Sequence, residues 1–214
     1  MDSLLYKIKA RVLTMFGDVS VYPWPMFAIY NPGAYKMTGP KVRRVLDCVQ
    51  AGDVVLRGYN NYLDSFFIPL GESRCSHSGI YVGGNQVIHS VAEGVISEDI
   101  LTFCRADRVI VLRPRLGVLE KMKAIDKANS LLGRKYDFNF DTADTEDSNK
   151  RNDRYFCHEF TKTCYSMIQV ERKVGRARFL GLKSPPVYLA DSFYLNHQFD
   201  RVYNSGSRSS ATLG

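Results

Sequence analysis

Short apolar runs rich in β-branched residues recur along the middle of the chain, each closed off by Gly, Asp or Pro. They predict strands over 53–56, 78–82, 86–91 and 108–112, joined by a closing strand over 199–203. Runs this short and this closely spaced suit one antiparallel sheet. The period changes after 117: Val118, Met122, Ile125, Ala128 and Leu132 step by three or four, and Gly133 stands where a helix stops. The same stepping recurs at Cys157, Phe160, Cys164 and Ile168, predicting a second helix whose inner face starts at Cys157. A shorter helix is expected over 42–49, ending at Ala51-Gly52. The order is strands, helix, helix, strand, which makes the fold class α+β.

Three stretches break this regularity. Residues 1–40 are basic and then aromatic (Tyr22, Trp24, Phe27, Tyr30, Tyr35) with prolines between, which predicts an extended segment wrapped on the core, packing being favoured over membrane contact. The acidic stretch 137–153 (Asp137, Asp141, Asp144, Glu146, Asp147, Asp153) reads as a solvated loop, since it lacks the alternating ligands and turn glycine of a calcium loop. Residues 205–214, rich in Ser and Gly, read as a disordered tail. The expected organisation is an extension over 1–40, one domain over 41–204 and a tail over 205–214.

Composition narrows the class. With 214 residues and 45% hydrophobic positions the chain can bury one sizeable core. Five cysteines are too few and odd in number for a disulfide scaffold, which favours a reducing compartment. The first nine residues, with Asp2, Lys7 and Lys9, lack the apolar core of a secretory signal. The longest uncharged run, 19–35, is cut by Pro23, Pro25 and Pro32 and cannot span a bilayer as a helix. A cytoplasmic protein is expected, with room for peripheral membrane contact. The net charge of +7 is densest around Arg172, Lys173, Arg176 and Arg178, a patch suited to weak contact with an anionic surface. No nucleic-acid motif accompanies it, so specific nucleic-acid binding is not expected.

Cys157 carries the chemical interest because it falls in the first turn of a predicted helix. Backbone N–H groups and the helix dipole there favour a thiolate and are expected to lower the thiol pKa. Cys48, Cys75, Cys104 and Cys164 lack that setting and read as packed thiols. A nucleophilic cysteine needs a histidine, and the chain has His77, His89, His158 and His197. His77 opens the strand 78–82 and His89 lies on the next. If Gly83-Gly84-Asn85 forms a three-residue hairpin loop, Gly79 faces His89 and the two rings become diagonal neighbours on one face. A two-residue loop would send them to opposite faces. A zinc site from Cys75, His77, Cys157 and His158 lacks the usual ligand spacing, and neither metal nor organic cofactor is expected.

Ser76-His77-Ser78-Gly79-Ile80-Tyr81 after Gly52-Asp53-Val54-Val55-Leu56, then Val87-Ile88-His89, Leu132-Gly133-Arg134-Lys135-Tyr136-Asp137 and Tyr155-Phe156-Cys157-His158-Glu159-Phe160, resemble the permuted papain-like amidases of the YiiX/YaeF type, a circularly permuted branch of the NlpC-type cysteine peptidases. The resemblance implies an antiparallel sheet packed against a helix that carries the nucleophilic cysteine. It implies Cys157 as nucleophile, His77 as general base, His89 as polar third member and Tyr136 at the oxyanion site. Glu159 takes a structural or pocket role, and His158 has none assigned. The expected activity is hydrolysis of an amide in a small peptide-like or amino-acyl substrate, and the expected partner is a small peptide-like, amino-acyl or lipid-linked amide. A histidine in third place also resembles the lecithin:retinol acyltransferase-like enzymes, which keeps a lipid acyltransferase or thiol lipase open, and a non-catalytic binding module remains a further alternative.

Overall fold

The computed structural model describes residues 4–17, 19–23, 26–30, 37–59, 70–138, 153–176 and 183–206. Its centre is a six-stranded sheet built from β3 (Asp53–Gly58), β4 (His77–Gly83), β5 (Gln86–Val91), β6 (Gly94–Asp99), β7 (Arg108–Pro114) and β10 (Phe199–Asn204). The strand order is β10-β7-β3-β4-β5-β6, and every neighbouring pair is antiparallel. All five predicted strands are present. Strand β6 has no counterpart in the prediction because Ser97, Glu98 and Asp99 dilute its apolar content.

Both faces of the sheet are covered, which is why the middle strands read as continuous apolar runs. Helices α4 (Val118–Ser130) and α5 (Cys157–Cys164) pack Ala124, Ala128, Phe160 and Cys164 on one face, against Val54, Leu56, Ile80, Ile88 and Ile110. On the other face α2 (Gly39–Cys48) and the four-residue α3 (Ile100–Phe103) bring Val45, Ile100 and Phe103 onto Val55, Val87, Val109 and Val111. Helix α4 starts where Glu120 Oε2 accepts from the Gly117 N–H and stops before Gly133, whose φ is +80°. Helix α5 ends earlier than the periodicity predicts: Tyr165 leaves helical geometry and its hydroxyl donates to the Gly52 carbonyl, while Ile168 stays in the core.

The N-terminal expectation needs correcting. Leu4–Gly17 is a helix, α1, because no Gly or Pro interrupts it before its last residue, and Val19–Pro23 (β1) pairs with Met26–Tyr30 (β2) as a hairpin. Trp24 and Tyr35 lie outside the described residues. The tail also begins later than predicted, since Ser205 exchanges hydrogen bonds with Val109 through its N–H and its hydroxyl. Most of the acidic loop, 139–152, lies outside the described residues; the two-residue strands β8 (Lys135–Tyr136) and β9 (Arg154–Tyr155) flank it and pair in parallel. Of the basic patch, Arg172 stacks 5.3 Å over Tyr188, Lys173 pairs with Glu171 at 2.9 Å, and Arg178 is outside the described residues. Among the described residues no helix is long and apolar enough to cross a membrane.

Candidate active site

Strands β4 and β5 set the histidine geometry, by a route different from the predicted one. The hairpin turn has two residues, Gly84 and Asn85, with φ of +57° and +63°, and is closed by the Gly83–Gln86 pair. A bulge on β4 at Val82 absorbs one residue, so Tyr81 faces Val87 and Gly79 faces His89 as the three-residue loop would have required. The rings of His77 and His89 share a face. His77 Nε2 lies 2.8 Å from His89 Nδ1, with the rings edge to face at 80°. Gly79 makes room for this: a Cβ there would come within 2.7 Å of Val87 Cγ1 and 3.0 Å of His89 Cβ.

Two charged residues that the sequence reading missed complete the group. Buried His89 presents Nε2 to Glu98 Oε2 at 3.4 Å, and Glu98 pairs with Arg57 at 3.1 Å. Arg57 stands opposite His77 on β3, its guanidinium 4.5 Å over Phe103. Burial, with the Arg57 charge behind it, pushes the pKa of both histidines well down, so both rings are neutral. The carboxylate favours the His89 proton on Nε2, which leaves Nδ1 as acceptor. In that tautomer His77 donates from Nε2 and its Nδ1 is left as a base. An acid on an alternating edge strand and an arginine in an apolar strand were the only sequence signals for this pair.

Cys157 is the first residue of α5, after the N-cap Phe156. The helix is tied to β4 through Ser78, whose Oγ donates to the Cys157 carbonyl (3.2 Å) and meets Thr161 Oγ1 (2.8 Å) and His158 Nδ1 (2.9 Å). The Cys157 thiol donates to the Ser76 carbonyl at 3.8 Å, and the N–H groups of Ser78 and His158 face the sulfur. Sγ thus contacts the residues on both sides of His77. The Ser78 side chain faces α5 and His77, one residue before it, turns its ring to His89; in this resting form the hydrogen-bond partner of Sγ is Ser76, not His77. The expected lowering of the thiol pKa is also corrected: burial outweighs the N–H groups and raises it to about 11.

The remaining predicted site residues lie on α5 and on the short strand β8. His158, beside the nucleophile in sequence, is buried and held by Ser78, and desolvation drives its pKa down to about 3. It has a structural place, since successive residues of a helix face different ways. Tyr136 lies half-buried on β8 opposite Tyr155, its ring 4.8 Å from Phe138 and its carbonyl accepting from Tyr6 Oη at 2.6 Å. Glu159 is buried on α5. All five cysteines are free thiols, and burial pushes Cys75, Cys104 and Cys164 up as well. Among the described residues no group of three or more His, Cys, Asp or Glu is placed to hold a metal.

The loop that delivers His77 is anchored by Asp191 of α6 (Asp191–Tyr194), which accepts from the Glu72 N–H at 2.5 Å, the Ser73 N–H at 3.0 Å and Ser73 Oγ at 2.5 Å. Asp191→Ala strands these donors in a buried place and should cost about 3 kcal/mol in a denaturant titration. Gly71→Ala should be comparably harmful, because its Cβ would lie 2.1 Å from Asp191 Oδ2.

A helix that brings a cysteine in its first turn against the start of an antiparallel strand, with the histidines earlier in the chain, defines a papain-like cysteine hydrolase fold in permuted order. The chain belongs to the permuted papain-like amidase family, YaeF/YiiX, C92, which it matches over residues 48–184, and it is an enzyme of cysteine amidase or peptidase type. The fold is also that of the crystal structure of the metalloprotein YiiX from Escherichia coli O157:H7, at 19% identity and a TM-score of 0.54, covering 72% of this chain and 96% of that one. A search of the curated proteins finds no match.

Proposed function

We propose that this enzyme hydrolyses the amide bond of a small peptide-like or amino-acyl substrate, with Cys157 as nucleophile, His77 as base and acid, and His89 as the group that orients His77. The observation that carries the reading is the 2.8 Å contact between His77 Nε2 and His89 Nδ1, at the start of the strand against which Cys157 packs; with the shared proton on His77 Nε2, His77 Nδ1 is the base. Sγ rotates away from Ser76 and attacks the carbonyl carbon as its proton passes to His77 Nδ1; catalytic hydrogen bonds commonly tighten only in the substrate complex. The oxyanion is held by the Cys157 N–H at the start of α5 and by the Tyr136 hydroxyl. His77 returns the proton to the leaving nitrogen as the C–N bond breaks, giving an amine and a thioester on Cys157. Water then attacks the thioester, its proton passing through His77 to the departing sulfur, and the acid is released. Glu159 borders the pocket from α5.

The histidine in third place supports a second reading, transfer of a lipid acyl group. Both readings pass through an acyl group on Cys157, and the acceptor separates them. Incubation with amino-acyl anilides and with fatty-acyl esters, followed by intact mass and peptide mapping, should show the acyl adduct on Cys157 from the anilides, with free acid as product. An adduct only from acyl esters, passed on to an added amine, would move the assignment to acyl transfer. Anilide turnover that persists in Cys157→Ala would overturn both.

A further inference from the structure

We infer that helix α1 is a docking surface for an anionic membrane. Leu4, Ile8 and Val12 recur every fourth residue and form one stripe along the helix, 74%, 52% and 42% exposed. Lys7 and Arg11 line one edge of that stripe and Lys9 the other, all exposed. Helix α1 contains no acidic residue. The opposite side is committed to the protein: the Tyr6 hydroxyl donates to the Tyr136 carbonyl at 2.6 Å, its ring meets Phe138 edge-on at 5.7 Å, and the Arg154 guanidinium lies 4.6 Å over it. The apolar stripe is therefore held outward with cations along both edges.

That combination selects the occupant. An apolar stripe bordered by lysine and arginine lets the apolar side chains enter the acyl boundary while the cations reach the phosphates, the pattern of a helix lying in the interface. At about 21 Å for its fourteen residues it is long enough to lie in the interface and too short to cross. A second copy of the same helix would set Lys7, Lys9 and Arg11 against their own kind. The exposed apolar residues of α4 make a useful contrast: Val118, Leu119 and Met122 stand among Glu120, Lys121, Lys123 and Asp126, a mixed surface with no preferred sign. The docking surface does not depend on the catalytic assignment. It does place the bilayer beside β8 and β9, the latter leading through Phe156 to Cys157, where a lipid-linked substrate would be presented.

Flotation with vesicles tests this. The full chain should float with phosphatidylcholine vesicles containing phosphatidylserine and not with pure phosphatidylcholine. Neutralising Lys7, Lys9 and Arg11 to Gln should weaken partitioning about 100-fold. Leu4→Asp with Ile8→Asp should abolish it, while Leu119→Gln with Met122→Gln leaves it unchanged. Circular dichroism and the melting temperature check that the variants fold. Equal binding by wild type and both α1 variants, or no flotation with anionic vesicles, overturns the inference. So does a sedimentation-velocity dimer that the Leu4/Ile8 variant dissolves while vesicles remain unbound.

Discussion

His77→Ala should lower kcat/KM for the anilide hydrolysed through Cys157 by about 10,000-fold, the scale on which loss of a general base disables a nucleophile that cannot ionise alone. The ionisation state of the resting site makes this prediction specific. With the Cys157 pKa raised to about 11 and the His77 pKa pushed well down, the pair is a neutral thiol and a neutral imidazole rather than a preformed ion pair. Deprotonation therefore belongs to the step in which the carbonyl is attacked, and His77 matters there rather than at rest. Alkylation of Cys157 by iodoacetamide should rise about tenfold per pH unit through the neutral range, and His77→Ala should leave that slope unchanged. A plateau near neutrality that vanishes in His77→Ala would instead show an ion pair. Glu98→Gln tests the far end of the chain of contacts: removing the charge that favours the proton on His89 Nε2 should lower kcat about tenfold and shift its pH profile, with KM little changed.

The legible parts of this protein are those whose signal is local. Buried strands flanked by turn residues announced themselves at 53–56, 86–91 and 108–112, and a helical period ending at Gly133 marked α4. The His77–His89 pairing was also readable, because a diagonal relation follows from parity alone, although the parity is kept by a bulge at Val82 rather than by the loop length. Signals that depend on tertiary surroundings were not readable. The start of a helix argued for a lowered Cys157 pKa, but that argument assumes a solvated site, and the thiol is buried against Ser76 and Ser78. Glu98 and Arg57 are distant in sequence and meet only because β6 and β3 lie on either side of the β4–β5 hairpin. The helical 4–17 was masked by the prolines and aromatics that follow it, which set the reading for the whole of 1–40.

Acid should begin to destabilise this protein from about pH 6.5 downward, above the range in which ordinary carboxylates protonate. His77, His89 and His158 all have folded-state pKa values below the unfolded value near 6.5, that of His158 falling to about 3 because its ring is desolvated. Below about pH 6.5 the unfolded chain binds protons at these positions that the folded chain excludes, so unfolding is favoured as pH falls; above it both states are neutral and the contribution is complete. The stability due to His158 is therefore full above pH 6.5 and is lost progressively down to about 3. At about pH 4 this one residue accounts for a loss of about 3 kcal/mol, on the order of 10 °C in melting temperature for a chain of this size. Melts from neutral pH down to about pH 4 should show this steep limb, with onset near the ordinary histidine pKa. In His158→Asn, which keeps a polar partner for Ser78 and carries no titrating ring, the protein should be less stable at neutral pH and its acid limb shallower. Parallel limbs in the two proteins would mean that His158 takes up its proton within the fold, and the tight burial between Ser78 and Phe193 would have to be abandoned.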